Sequence, residues 1–304
     1  MNLCISQPAY RLGEPRPVAE LPELAGDAAG LGYLRSLGIE QYARAERPLA
    51  ELMREAAAEA LDSAGCAPLD IGAIVYASSR YDPHSDLDSL PVLAQRLGMD
   101  RAVPYGVFLG QCANFSHALT LARALIELEG RGPVLVIIAD ALPSLAGRIL
   151  ARRTSVLSDG ACAFVAGGRA QVRVHGLITQ ASPALVALDP MGGLLAFIEG
   201  VSQGFRSTCA AGLDAAGLGA EAYRWLLVGN YNLAVQRNFT ALAGFADAQL
   251  FSANRSRFAH SFAADQMIAL ADLLSSDQLQ VGQRAFCVGT GHHLWSAMSL
   301  ERLP

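Results

Sequence analysis

Apolar residues in this chain form short continuous runs that alternate with longer runs of helical spacing. Continuous runs predict strands at 71–79, 104–110, 132–139 and 161–168, and helical spacing predicts helices at 48–64, 87–98 and 112–129. After the segment AGGRAQ (166–171), a second series predicts strands at 171–180, 224–229, 284–289 and 295–302 and helices at 197–216, 231–245 and 262–276. This rhythm predicts an α/β fold.

The second series repeats the first at a constant offset. LDSAG (61–65) recurs as LDAAG (213–217), IVYAS (74–78) falls on LLVGN (226–230), and PVLVIIADAL (133–142) falls on AFCVGTGHHL (285–294). A constant offset across three elements indicates duplication. We therefore expect two βα halves, 1–169 and 170–304, in one compact molecule. The helix at 112–129 is apolar nearly all round, which predicts that it is buried between sheets.

Composition excludes several classes of protein. With 52% hydrophobic and 17% charged residues among 304, the chain has a large core, and its net charge of -5 gives no footprint for nucleic acid. All basic residues are arginine, so lysine-dependent Schiff-base enzymes and P-loop nucleotidases are excluded. The six cysteines form no C-x-x-C pair, and no apolar run is long enough to span a membrane. We expect a cytoplasmic protein with reduced thiols.

One cysteine has the position of a nucleophile. In GQCANFSHAL (110–119), Cys112 stands between a predicted strand and the predicted buried helix, where the helix dipole and unpaired N–H groups favour a thiolate. The alternative is an inert buried thiol. His117, one turn further along, points elsewhere by helical spacing, and we interpret it as a packed or capped polar residue of the core. Asp82, His84 and Asp86 alternate in SRYDPHSD (79–86); without a second cluster we interpret them as a polar turn, and no metal site is predicted.

Several motifs resemble those of the β-ketoacyl-ACP synthase III (KAS III) family of the thiolase superfamily. QCANFSHALTLARALIE is similar to the family's nucleophile segment, LSDGACAFVAGG (157–168) to its GDGAGA strand, and WLLVGNYNLAV (225–235) to its PHQANL region. FAHSFAAD (258–265) resembles the HGNTSAAS motif and GTGHHLWSAMSL (289–300) the C-terminal GGGFTWGSAL motif. The resemblance covers nearly the whole chain and implies a thiolase-like fold, a layered α-β-α-β-α sandwich.

The chain departs from the family at two catalytic positions. GNYN (229–232) places Gly229 or Asn230 where the family has its histidine, and His260 stands in place of the asparagine of the other motif. In the family, that histidine and asparagine support decarboxylation of a malonyl thioester. What remains is a nucleophile, Cys112, with one imidazole, His260, which suits acyl transfer. Asn230 or Asn232 is expected to orient the imidazole or to donate to a carbonyl oxygen.

The resemblance also assigns substrate contacts. The backbone N–H of Gly291 is expected to complete an oxyanion hole with the amide of Cys112, and one of His292 and His293 either faces the site or lies in a solvated loop. In the loop at 140–153, Arg148, Arg152 and Arg153 either hold the phosphates of coenzyme A or phosphopantetheine or form a solvated basic face. No cofactor is predicted beyond these acyl carriers.

The leading hypothesis is a KAS III-like acyltransferase of specialised metabolism, either polyketide or fatty-acid-derived. Cys112 would accept an acyl group from an acyl carrier protein or coenzyme A thioester, and a small hydroxyl, amine or thiol would receive it. A ketosynthase with a modified carbon–carbon bond-forming mechanism, a thioesterase, and a catalytically silent partner subunit are the alternatives. The resemblance implies a homodimer, or a heterodimer with another ketosynthase-like subunit.

Overall fold

The computed structural model describes residues 3–80, 83–188 and 193–304, with the backbone alone for 83–88 and 187. Within these residues the strands are β1 Leu3–Ile5, β2 Ala9–Leu12, β3 Glu14–Pro17, β4 Gln41–Arg44, β5 Ala73–Ala77, β6 Val103–Val107, β7 Val134–Asp140, β8 Gly160–Ala166, β9 Val172–Ala181, β10 Trp225–Leu227, β11 Arg284–Thr290 and β12 Leu294–Arg302. The helices are α1 Ala28–Ser36, α2 Leu49–Ala64, α3 Pro83–Leu97, α4 Asn114–Glu129, α5 Leu194–Ala216, α6 Leu233–Leu242, α7 Asn254–Phe258 and α8 Asp265–Ser275.

Hydrogen bonding connects the strands in the order β10-β11-β12-β9-β1-β8-β7-β5-β6, with β2 paired to β8. The two ends of this series have the same design. On one side β5 and β7 are parallel and β7 and β8 antiparallel; on the other, β10 and β11 are parallel and β11 and β12 antiparallel. The segments that the offset in the sequence placed together thus occupy equivalent places in the fold.

Side chains alternate between two cores along the strands. In β5, Ala73, Val75 and Ala77 join the central core with α4 and α8, whereas Ile74 and Tyr76 face α2. In β11, Ala285 and Cys287 join the same central core, whereas Phe286 and Val288 pack with α5. Successive side chains of a strand point to opposite faces. The part of the strand series that contains β5 therefore lies between α2 and the central helices α4 and α8, and the part that contains β11 lies between these central helices and α5. These five layers confirm the thiolase-like α-β-α-β-α arrangement.

The repeated glycine ends a helix in each half. Gly65 follows α2 with a φ of 61°, and Gly217 follows α5 with a φ of 66°. In both cases the glycine N–H and the next N–H bond back to carbonyls of the last turn. A left-handed residue at this position favours glycine because it has no Cβ. The sequence repeat LD-x-AG is thus a repeated helix stop.

The expected boundary between residues 169 and 170 falls between β8 and β9. Strand β1 is hydrogen-bonded to both of them, Ile5 to Ala166 and Leu3 to Val174. The pattern of apolar residues did not predict β1 to β4 or α1.

The polar turn expected at Asp82, His84 and Asp86 is partly wrong, because residues 84 and 86 lie in α3. Asp82 and the side chains of His84 and Asp86 lie outside the described residues. Across the ranges described, no helix combines the length and the apolar character that a membrane crossing requires.

Candidate active site

Cys112 lies in a single 3-10 turn, residues 111–113, directly before α4. The residue before it, Gln111, has a φ of 50°, a left-handed conformation that is uncommon for a non-glycine residue. The buried Asn114 side chain holds this turn: its Oδ1 accepts the N–H of Gly110 at 2.7 Å and its Nδ2 donates to the carbonyl of Ser78 at 2.7 Å. The loop that carries Cys112 is thus tied to the end of strand β5, and it precedes a buried helix as the sequence predicted.

His260 is fixed by its backbone as well as by its side chain. Its N–H donates to the carbonyl of Val156 at 2.9 Å, and its carbonyl accepts the N–H of Ser158 at 2.8 Å. Ala259 and Phe262 have positive φ values of 54° and 51°, so the loop around His260 is held in an unfavourable conformation. This backbone directs the buried imidazole at the nucleophile: Nε2 lies 3.2 Å from the Sγ of Cys112.

A third residue, which the sequence analysis missed, contacts the other side of the His260 ring. We call the three residues Cys112, His260 and Asp265 the relay. Asp265, the first residue of α8, is fully buried, and its Oδ2 lies 2.5 Å from Nδ1 of His260. The carboxylate also accepts the N–H of Ser261 at 2.7 Å and the N–H of Asn230 at 2.6 Å. Because Asp265 accepts the Nδ1–H, the other ring nitrogen faces Cys112. The pattern H-x4-D at the start of an apolar helix was the available signal.

The charges of this relay favour a protonated imidazole. Burial alone would lower the pKa of His260, but the Asp265 carboxylate and the Cys112 sulfur outweigh it and raise that pKa to about 10. At neutral pH the imidazole therefore carries a proton that it can deliver. A thiol, an imidazole and a carboxylate in this order have the geometry with which a thiol can be activated and one proton moved.

The two candidate asparagines have different places. Asn230 contacts Asp265 rather than the imidazole, and its Nδ2 lies 3.2 Å from Oδ1 of that carboxylate. Asn230 therefore helps to orient Asp265. Asn232 faces away: its Oδ1 accepts the N–H of Val235 and its Nδ2 donates to the carbonyl of Arg153, each at 3.0 Å. Asn232 is therefore the N-cap of α6, and the expectation that it serves the site is wrong.

Tyr231 is a further wall residue that the sequence did not single out. Its ring centroid lies 5.0 Å from that of His260, and its hydroxyl lies 2.8 Å from Oγ1 of Thr290. Burial raises the pKa of the Tyr231 phenol, so it stays neutral.

Cys112 and His260 open into a pocket of about 360 Å³. Apolar side chains from α5, α6 and two loops form most of its wall, and the full lining is Ser79, Gln111, Cys112, Leu150, Ala151, Thr154, Leu157, Phe197, Val201, Tyr231, Val235, Phe239, His260, Phe262, Thr290, Gly291 and His292. A pocket that has a few polar groups near the thiol and apolar walls elsewhere is typical of a binding site for a small apolar group.

The glycine-rich turn lies in this wall but differs from the expectation. The N–H of Gly291 donates to the carbonyl of Leu294 at 2.6 Å, so it is occupied within its own turn rather than directed to an oxyanion. His292 faces the pocket, and its N–H donates to Oε1 of Gln111 at 2.9 Å. His293 is not among the lining residues; its carbonyl accepts the N–H of Ser182.

Of the three arginines expected at the entrance, Arg148 does not lie there, and the expectation that it binds phosphate is wrong. Its guanidinium is buried and makes a bidentate pair with Asp159, both N–O distances being 2.8 Å. A phosphate cannot reach it there. Arg153 pairs with Asp27 and is partly exposed, and Arg152 is exposed. Neither lines the pocket, although their neighbours Ala151 and Thr154 do.

Among the described residues, no group of three or more His, Cys, Asp and Glu side chains is arranged to hold a metal ion.

Comparison with known proteins bears on the fold and on sequence similarity. No protein-family model matches the chain. The chain is 26% identical over 318 residues to β-ketoacyl-[acyl-carrier-protein] synthase III 4 of Streptomyces coelicolor, and the match covers 96% of both chains.

Solved structures agree in fold. The acyltransferase ChlB3 superposes with a TM-score of 0.87 at 20% identity, covering 100% of this chain and 98% of that one. A 3-oxoacyl-(acyl carrier protein) synthase III from Pseudomonas aeruginosa PAO1 superposes with a TM-score of 0.83 at 20% identity, covering 100% and 99%. These likenesses show a thiolase-like fold, and the full-length sequence match makes the chain similar to a β-ketoacyl-ACP synthase III.

Proposed function

We propose that this protein is an acyltransferase that moves an acyl group from a coenzyme A or acyl-carrier-protein thioester, through Cys112, to a hydroxyl, amine or thiol. The observation that carries this proposal is the Cys112–His260–Asp265 relay, with its contacts of 3.2 and 2.5 Å. Such a relay activates a thiol and manages one proton, which is what two successive acyl transfers require.

The first transfer uses the charged relay. The Cys112 sulfur attacks the thioester carbonyl, the new C–S bond forms, and the bond to the carrier's sulfur breaks. His260 gives its Nε2 proton to the leaving thiolate, while Asp265 keeps the ring oriented. The product is an acyl-cysteine beside a neutral imidazole.

The second transfer runs in the opposite sense. Acylation removes the Cys112 charge, one of the causes that raise the pKa of His260, so the imidazole becomes a better base for the next step. The neutral Nε2 takes the proton of the acceptor as the acceptor attacks the acyl carbon. The C–S bond to Cys112 then breaks, and the thiolate–imidazolium pair is restored.

The geometry is poorly suited to decarboxylative condensation. Stabilising the enolate that remains after loss of carbon dioxide requires two donors aimed at one thioester oxygen. Gly229 has no side chain, and the Asn230 amide is directed at Asp265. Among the pocket-lining residues, the imidazoles are those of His260, whose Nε2 is the one nitrogen facing the Cys112 sulfur, and of the exposed His292.

The pocket wall indicates the class of acyl group. Phe197, Val201, Val235 and Phe239 present apolar surface from α5 and α6, while the polar groups lie near the sulfur. Burying a charged acyl chain against such a wall would cost several kcal/mol. An uncharged aliphatic or aromatic acyl group fits best.

Mass spectrometry of the intact protein tests the proposal. After incubation with a panel of acetyl-, butyryl-, octanoyl- and benzoyl-CoA, we expect an adduct of the acyl mass that is absent from Cys112→Ala. No adduct with any donor, or an adduct that persists in Cys112→Ala, would sink the proposal.

A second assay separates acyl transfer from the ketosynthase alternative, which the name of the S. coelicolor relative favours. The protein is incubated with carboxyl-labelled malonyl-CoA and an acyl donor. We expect no labelled carbon dioxide above that released by Cys112→Ala. Release that depends on Cys112 and accompanies a β-keto product would replace our proposal with condensation.

A further inference from the structure

Tyr231 occupies space between Gly229 and His260. A Cβ placed on the buried Gly229 would lie 2.7 Å from Cε2 and 3.2 Å from Cζ of the Tyr231 ring. Carbon atoms in proteins do not approach so closely without displacement, since their optimal separation is about 3.5–4.0 Å. The ring therefore fills the place where a side chain at position 229 would begin.

The ring is held on several sides, so it cannot move aside easily. Its hydroxyl bonds to Thr290, and Phe239 packs edge-on with a centroid distance of 5.8 Å and an interplanar angle of 68°. Phe239 in turn stacks on the fully buried Phe205 at 4.4 Å. Displacement of Tyr231 would disturb this whole aromatic group.

The same ring lies against the catalytic imidazole. The two rings are tilted by 35° with centroids 5.0 Å apart, within the distance at which an aromatic face attracts a cation. The Tyr231 hydroxyl is engaged by Thr290, and a tilt of 35° is nearer to parallel than to edge-on contact between the two rings. Contact with the Tyr231 ring thus restricts the position of the imidazole.

From these contacts we propose that Tyr231 is a positioning residue with two effects. It holds the His260 ring against Cys112, and it excludes any side chain from position 229, so that the site keeps a single relay imidazole. The positioning of His260 is a property of the folded protein and does not depend on the reaction. The exclusion of a side chain at position 229 rests on the proposed acyl transfer, because it removes the space for a second donor to a substrate carbonyl.

The first effect is tested by the reactivity of Cys112 with iodoacetamide as a function of pH, followed by mass spectrometry. Alkylation requires the sulfur to act as a nucleophile, so a His260 ring that is displaced from Cys112 should slow it. At about pH 6.5 we expect Tyr231→Leu to slow alkylation of Cys112 by about tenfold or more, towards the rate of His260→Ala. Tyr231→Phe keeps the ring and should retain a rate within about threefold of wild type.

A purely structural role of Tyr231 gives a different result. In that case Tyr231→Leu lowers the unfolding temperature but leaves the pH profile of alkylation unchanged. A folded Tyr231→Leu protein with the wild-type profile would overturn the positioning role, and so would a Tyr231→Phe protein that is as slow as Tyr231→Leu.

The second effect is tested by a double-mutant cycle on the unfolding temperature. Gly229→Ala should lower that temperature by several degrees in the wild type and by clearly less in Tyr231→Leu, because its clash is with the ring. Gly32→Ala, in α1 with open space around it, is the matched control and should have the same effect in both backgrounds. An equal cost of Gly229→Ala in both backgrounds would refute the steric exclusion.

These measurements use no acyl donor. If no acyl adduct forms on Cys112, the proposed function fails while the alkylation profile and the cycle remain interpretable. If the profile and the cycle fail but the adduct forms, only the role of Tyr231 is lost.

Discussion

At the scale of single residues, Asp265 orients the His260 ring and raises its pKa. Two backbone N–H groups, from Ser261 and Asn230, hold the carboxylate in the core, so that it is hydrogen-bonded although it is fully buried. Its charge is the first of the influences that raise the pKa of His260 against the effect of burial. Asparagine at this position would keep the shape and remove the charge.

We therefore expect Asp265→Asn to slow acylation of Cys112 by about 10²–10⁴-fold, a range typical for an orienting carboxylate in such a relay. Single-turnover mass spectrometry with the most reactive acyl-CoA measures it. Asp272→Asn is the control, because it makes the same change on the same helix at a residue that pairs with Arg257 instead. Equal rates for the two variants would contradict the assignment.

The same variant should change how stability depends on pH. The pKa of His260 is raised from 6.5 to about 10, so the stabilisation is complete below 6.5 and is lost as the pH rises through about 10. The difference in unfolding free energy between wild type and Asp265→Asn should therefore shrink from about pH 6.5 towards pH 10. Urea unfolding at several pH values measures this, and a constant difference would count against it.

At the scale of secondary-structure elements, Asp159 joins the ends of several strands. Just before β8, its carboxylate accepts the N–H of Ala45, after β4, at 2.9 Å and that of Leu142, after β7, at 3.0 Å. Arg148 completes the set with two further bonds while the ring of Tyr42 lies 5.4 Å from its guanidinium carbon. The pair therefore fixes the loops beside the pocket.

Arg148→Met should destabilise the protein by about 3–5 kcal/mol, since it leaves a buried carboxylate without its cation. Arg153→Met removes a partly exposed pair with Asp27 and should cost less than about 1 kcal/mol. Chemical denaturation of both variants provides the comparison. Similar costs would show that the Arg148 pair is not buried in solution.

The sequence predicted the longer elements well because their apolar patterns are long. β7 is fully buried and reads as one apolar run, and α4 is apolar on most sides. β1 and β2 have only three and four residues, and they form by pairing with distant strands, which no local pattern records.

At the site, the motifs located Cys112 and His260, whereas Asp265 required knowledge of its burial. Arg148 was misassigned for the same reason, since nothing in the neighbouring residues shows that Asp159 binds it. Burial and pairing of a charge depend on residues that come together only in the folded chain.

At the scale of the whole molecule, β6 ends the strand order. Within the described residues it pairs with β5 and with no strand on its other side, and Leu109, shortly after it, is 88% exposed. Edge strands and exposed apolar residues of this kind are sites of association unless they are covered. They add to the expectation of a dimer that the family resemblance raised.

We expect light scattering to give twice the 32.0 kDa mass of one chain. Leu109→Glu should shift the protein towards the single-chain mass, whereas Leu128→Glu, at a comparably exposed leucine on the far end of α4, should not. A wild-type protein with the mass of one chain would contradict the homodimer.

The position of β1 has a consequence for synthesis. β1 is a central strand, and it leaves the ribosome well before its partner residues in β9, such as Val174, have been made. Until then one edge of β1 has no partner, and contacts between such distant residues form slowly. The nascent chain must therefore keep that edge of β1 available, and unpaired, until β9 has been synthesised.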